Sequence, residues 1–164
     1  MPVLKLSTVI DAPIELVFDL SRSVDLHKIS TVRTKEEAVA GKISGLLDMG
    51  DSVTWKARHF GVNQLLTSRI TAFKSPHYFV DEMVSGAFKR FKHEHIFTTE
   101  SNTTIMTDIF DYTSPYGYIG FMADALFLKR YMTAFLAERN AIVKVFAEDK
   151  QKHSKLFGVN DLSG

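Results

Sequence analysis

Hydrophobic and polar residues alternate from Val3 to Ile10 and β-branched side chains are frequent there, which predicts a strand. Asp11-Ala12-Pro13-Ile14-Glu15 then reads as a helix start: Asp or Ala stands near the cap, Pro13 suits the first turn, and Glu15 favours the positive end of the helix dipole. Ile14, Val17, Phe18 and Ser21 share one face of that short helix, and a second short helix is predicted from about Val24 to Ser30. From Thr34 to Tyr112 the signal is β. Thr34 to Ala40 reads as a weak, charged edge strand, and Gly41 to Gly50 as a loop or bulge. Strands follow at Ser52 to His59, Val62 to Phe73, His77 to Ser85, Phe88 to Thr99 and Thr103 to Thr113, with breaks at Gly61, Ser75-Pro76, Gly86 and Ser101-Asn102. Such a series predicts an antiparallel meander.

After Ser114-Pro115 the period changes. Phe121, Met122, Ala125, Leu128, Met132, Phe135, Leu136, Ile142, Val143 and Phe146 recur at helical spacing between about Gly117 and Lys150. A helix of about 30 residues is roughly 45 Å long and must cross the whole domain. Its first half is apolar nearly all round, and its second half places Glu138, Arg139, Lys144 and Glu148 outside or at the rim. A sheet that is apolar on one face must have it covered, and this helix is the only element large enough. The expected fold is therefore α+β: a curved antiparallel sheet of six to seven strands wrapped on a long C-terminal helix, with two short helices after the first strand. Residues 1–150 form one domain on this reading, and 151–164 a flexible polar tail.

Composition narrows the function classes. The share of aromatic residues is 12%, and 13 of them are Phe, which brings large apolar area without a polar handle. A formal net charge of +1 gives no reason to expect nucleic acid as a partner. The chain has no cysteine, which excludes disulfides, thiolate metal sites and a Cys nucleophile and fits a reducing cytoplasm. The N-terminus lacks the pattern of a secretory leader, and the longest apolar stretch, Tyr116 to Leu128, is too short and too interrupted for a membrane span.

Four segments carry a family resemblance: Ile10-Asp11-Ala12-Pro13-Ile14-Glu15-Leu16-Val17-Phe18, Val53 to Gly61, Tyr78-Phe79-Val80-Asp81-Glu82-Met83 running to Phe88, and Phe91-Lys92-His93-Glu94-His95-Ile96-Phe97. In their order and spread the chain resembles the START/Bet v 1-like superfamily (SRPBCC, polyketide cyclase/dehydrase and lipid transport), in particular its bacterial stand-alone ligand-binding members. The resemblance implies a helix-grip fold with a cavity between helix and sheet, and a hydrophobic small molecule as partner. It supplies no catalytic set.

The candidate chemistry lies in His93-Glu94-His95. On a strand His93 and His95 share a face with Phe91 and Phe97. A hairpin at Ser101-Asn102 would set His95 opposite Asp108, and His59 faces the same side as Trp55. Three histidines and a carboxylate have the donor types of a zinc or non-haem iron site, and they also suit acid–base work or the fixing of a ligand. Because His-x-His on a strand is a weak pattern, a structural or ligand-orienting role is favoured over acid–base chemistry and over a metal, and no catalytic residue, metal or cofactor is assigned. Trp55, Phe79, Phe91, Phe97, Phe110 and Tyr112 are the expected cavity walls, and Phe121, Met122 and Ala125 an adaptable wall or entrance. Gly41, Gly45 and Gly50 lack phosphate-loop spacing, no Ser stands in a Gly-x-Ser-x-Gly context, and Lys89-Arg90-Phe91-Lys92 reads as a solvated sheet face. The functional alternatives are a carrier of a lipid, isoprenoid, quinone or polyketide-like compound, a cyclase or dehydratase using the cavity His and Asp groups, and a regulatory protein-interaction module.

Overall fold

A computed structural model of the protein describes residues 2–114, 122 and 127–158. The chain runs β1 (Val3–Ile10), α1 (Ile14–Ser21), α2 (Val24–Ser30), a 3₁₀ turn (Val32–Thr34), β2 (Glu37–Gly41), β3 (Ser52–His59), β4 (Val62–Lys74), β5 (Tyr78–Ser85), β6 (Arg90–Glu100), β7 (Thr103–Thr113), α3 (Lys129–Glu148) and α4 (Lys150–Leu156). The seven strands form one antiparallel sheet in the order β1-β7-β6-β5-β4-β3-β2. Register irregularities at Ala38/Ala40 in β2 and at Thr67/Ser68 and Ile70/Ala72 in β4 bend the sheet, because a bulge kinks its strand and increases the local twist.

Local chemistry explains the main turns. Ser101 and Asn102 both have positive φ, 45° and 71°, which suits the two-residue hairpin that matches strand twist, so β6 and β7 pair from Glu100↔Thr103 to Arg90↔Thr113. Ser23 caps α2 by accepting from the Leu26 backbone N–H. In β6 and β7 the inward positions are buried and their neighbours less so, and this period of two turns Phe91, His93, His95, Phe97, Met106, Asp108, Phe110 and Tyr112 to the concave face.

The helix α3 covers that face. Its C-terminal half buries Val143 and Ala147 with Phe18 of α1, Ile10 of β1, Phe97 and Met106. Its N-terminal half buries Met132 and Leu136 with Phe91, Phe110 and Tyr112. Burying one Phe or Leu side chain contributes about 1.5–3 kcal/mol, so these two clusters fix the helix on the sheet.

One expectation needs correction, one lies partly outside the described residues, and one gains an element. The charged strand begins at Glu37 rather than Thr34, because Thr34 closes the 3₁₀ turn and Lys35 adopts a left-handed φ of 51° that turns Glu36 inward. The long C-terminal helix is described only over Lys129–Glu148; Gly117, Phe121 and Ala125 lie outside the described residues. Lys150–Leu156, which runs from the end of the expected domain into the expected tail, is helical: Asp149 breaks α3 with an extended backbone and its carboxylate caps α4 by accepting from Gln151 and Lys152 N–H.

Candidate functional site

Between the N-terminal half of α3 and the concave sheet lies a cavity of about 700 Å³. Trp55, Phe79, Phe91 and Phe110 project into it from the sheet, and Met132 and Leu136 from α3, so the walls are mainly apolar. Phe60, at the tip of the β3–β4 hairpin, and Phe127, just before α3, also line it and are 56% and 55% exposed, which places them at its rim.

Two polar groups break the apolar wall. The first is built by adjacent strands. Cross-strand pairing sets Asp81 of β5 beside His93 of β6, and His95 of β6 beside Asp108 of β7. Asp108 is fully buried, and its carboxylate accepts from His93 Nε2 at 2.8 Å and from Asn140 Nδ2 at 2.6 Å. Arg139 Nη1 lies 3.7 Å from the same carboxylate, while Nη2 donates to the Ser21 carbonyl at 2.8 Å. On the cavity side, His95 Nε2 is 3.1 Å and His93 Nδ1 3.7 Å from Asp81 Oδ1. His95 Nδ1 approaches Asp108 Oδ1 to 3.0 Å but is not aligned on it, so that contact is one of charge rather than a directed hydrogen bond.

The cluster balances its own charge. Burial works to raise the Asp108 carboxyl, but His93 and His95 outweigh it and hold the group well below the usual carboxylate range. Burial likewise pushes Asp81 up, and the hydrogen bond from His95 with the nearby His93 outweighs it and lowers Asp81. Burial pulls His95 down, yet the two flanking carboxylates raise it. His93 is lowered by burial and by the charge of His95. Two carboxylates thus face the imidazoles of His93 and His95 and the guanidinium of Arg139.

The second polar group stands between β3, α2 and α3. Glu36 Oε2 meets His27 Nε2 at 2.6 Å, Glu36 Oε1 is 3.7 Å from His59 Nε2, and His59 Nδ1 bonds the Tyr131 hydroxyl at 2.8 Å. The His27 ring lies over Trp55 with centroids 4.2 Å apart. Burial lowers His59 against the opposing charge of Glu36, and burial together with Glu36 raises Tyr131. All four polar side chains line the cavity.

Sequence expectations meet this geometry unevenly. Trp55, His59, Phe79, Phe91, His93, His95 and Phe110 line the cavity. Asp108 stands behind the histidines rather than on the wall, because its carboxylate is consumed by His93 and Asn140. Tyr112 is fully buried against Phe88 and Phe110, and Phe97 packs edge-on to Phe18, so both fill core rather than wall. Met122 is 56% exposed and is not a lining residue. Phe121 and Ala125 lie outside the described residues. His59 does not join His93 and His95; it belongs to the Glu36 group. Arg139, expected outside or at the rim, is buried because its guanidinium serves Asp108 and the end of α1. Asp81, Glu36, His27 and Tyr131 were not anticipated. Alternation from Phe79 would have turned Asp81 inward, whereas no local pattern marks Glu36.

Known structures share this fold. A protein from Thermus thermophilus superposes with a TM-score of 0.72 at 16% identity, covering 88% of this chain and 95% of that one. The major latex-like protein of Panax ginseng gives 0.66 at 15%, covering 90% and 98%. A START superfamily protein from Mycobacterium smegmatis gives 0.68 at 9%, covering 89% and 97%. The chain has the helix-grip fold of START and Bet v 1-like proteins. No family model matches its sequence, and no curated protein does. Within this helix-grip domain no described helix is long and apolar enough to cross a membrane.

Proposed function

We propose that this helix-grip domain binds a hydrophobic small molecule, of lipid, isoprenoid, quinone or polyketide-like character, between its sheet and C-terminal helix. One observation carries the reading: a cavity of about 700 Å³, walled by Trp55, Phe79, Phe91 and Phe110. Such a volume lies within the range of small-molecule sites, which are mostly apolar with a few placed polar groups. Burying apolar ligand surface there contributes about 25 cal/mol per Å² before the costs of association. Asp81 with His93 and His95 at one place, and Tyr131 with His59 at another, offer hydrogen-bonding groups to orient a ligand's oxygen atoms.

The test is native mass spectrometry of purified protein, followed by denaturing extraction and titration with an apolar fluorophore read through Trp55, the single tryptophan. An apolar excess mass, or saturable quenching of Trp55, is the expected result. Protein of bare mass that also fails to bind any apolar probe would overturn the reading.

A second reading is an enzyme of cyclase or dehydratase type. The observation in its favour is that His93 and His95 open onto the cavity while hydrogen-bonded or charge-paired to carboxylates behind and beside them. Turnover that disappears in a folded His95→Ala variant is its test.

A further inference from the structure

We infer that Asp81, His93 and His95 form a binding site for a divalent first-row transition metal on the cavity wall. This goes beyond small-molecule binding and stands without it. One donor atom from each of the three side chains lies within 4.8 Å of the other two. The Asp81 Oδ1 atom faces His95 Nε2 at 3.1 Å and His93 Nδ1 at 3.7 Å. Bonds of about 2.1 Å from a four-coordinate metal separate neighbouring ligands by about 3.4 Å, so both distances bracket what such an ion requires.

The surroundings argue for a metal more strongly than the triad alone. A metal-bound imidazole nearly always engages a carboxylate or carbonyl with its other ring nitrogen, which fixes the tautomer and the ring's direction. Here a single buried carboxylate does this for His93 through a hydrogen bond and stands beside the Nδ1 atom of His95 in a charge contact. Asp108 holds His93 by Nε2 at 2.8 Å and lies 3.0 Å from His95 Nδ1, leaving His93 Nδ1 and His95 Nε2 turned toward Asp81. Asp108 is itself held by Asn140 at 2.6 Å, so this positioning residue is anchored to α3. A purely structural His–Asp cluster needs no second carboxylate aimed at the two remaining ring nitrogens from the cavity side.

Two imidazoles and one carboxylate select a borderline ion, such as zinc, iron(II) or cobalt(II), over magnesium or calcium, which prefer all-oxygen ligands. Three protein ligands also leave coordination positions open toward the cavity. An oxygen of a bound organic molecule, or water, would fill them.

The full chain, treated with chelator and titrated with Co²⁺, tests the site by visible absorption and calorimetry. One Co²⁺ per chain, displaced by Zn²⁺, is expected. Asp81→Ala and His93→Gln should each weaken binding more than about a hundredfold, since even an outer-shell partner is worth about 10- to 100-fold. His77→Ala, an exposed histidine on the β4–β5 turn, should bind as wild type does. Asp81 is not fully buried, so Asp81→Asn provides a variant that keeps the fold should His93→Gln lose it. Absence of stoichiometric binding at micromolar metal would overturn the proposal. So would binding that survives Asp81→Ala, or that His77→Ala removes.

Discussion

Phe60 and Tyr131 meet ring to ring at the rim of the cavity, with centroids 4.7 Å apart. Phe60 also packs on Phe127 at 5.3 Å, so the tip of the β3–β4 hairpin touches the residues that lead into α3. Aromatic pairs of this kind are worth about 0.5–1.5 kcal/mol beyond area burial. Opening the rim for a ligand breaks them. Phe60→Ala should therefore speed release of an apolar fluorophore roughly two- to tenfold, while the exposed position leaves the melting temperature nearly unchanged. Stopped-flow displacement read through Trp55 checks this; unchanged release kinetics would remove Phe60 from the rim's function.

Ala57 offers the complementary experiment. It lines the cavity from β3, between Trp55 and His59, and carries the smallest side chain on that wall. Ala57→Leu adds apolar volume to empty space rather than to a packed core, so stability should hold or rise by about 0.5–2 kcal/mol. Affinity for an apolar ligand should fall at least tenfold, by about 1.4 kcal/mol or more, because the new methyl groups occupy its place. Titration beside a urea melt separates the two effects. Full affinity in a folded Ala57→Leu protein would mean that ligands bind elsewhere.

How far the sequence could reach is visible in individual residues. The pairing of His95 with Asp108 was legible because a two-residue turn fixes hairpin register and each strand then counts by twos. Trp55, Phe79, Phe91 and Phe110 followed from the same alternation. Glu36 was not legible, since its inward turn depends on the left-handed backbone of Lys35, and a Lys-Glu-Glu run reads as solvated edge. Arg139 escaped for a different reason. Helical periodicity places it near the polar side, and only the tertiary meeting of α3 with Asp108 and Ser21 makes burial favourable. Local pattern thus reports faces and register, whereas polar groups buried by contacts distant in sequence require the fold.

Asp108 ties β7 to β6 and to α3 in the absence of any ligand. Substituting Asn removes a buried negative charge from contact with His93, His95 and Arg139 and leaves these groups with one carboxylate, Asp81. Breaking a buried ion cluster by deleting one partner costs about 3–5 kcal/mol. Asp108→Asn should lose that much by urea denaturation, whereas Asp111→Asn, paired with Arg90 on the outer face, should lose under about 1 kcal/mol. Equal losses would mean that the buried cluster contributes no more than a surface pair.

Glu36 predicts a pH dependence of definite sign. It is faced by His27 of α2, His59 of β3 and, beyond His59, Tyr131 of α3. Burial raises the Glu36 carboxyl, but the charges of His27 and His59 and the hydrogen bond from His27 outweigh it, and the folded value lies below 4.5. Its unfolded counterpart binds protons more readily, so this contribution to stability is complete above pH 4.5 and is lost as the pH falls through the lower folded value. His59 acts in the same direction from a higher pH. Burial lowers it despite Glu36, so the unfolded chain takes up that proton first and stability declines as the pH drops below 6.5. Glu36→Gln should be about 1–3 kcal/mol less stable than wild type at about pH 7, and the gap should close below about pH 4.5. His59→Gln should instead flatten the decline that begins at 6.5. Urea melts of the three proteins between about pH 2 and pH 8 decide the matter, and a gap between wild type and Glu36→Gln that does not narrow as the pH falls below 4.5 would show that Glu36 is not ionised in the fold.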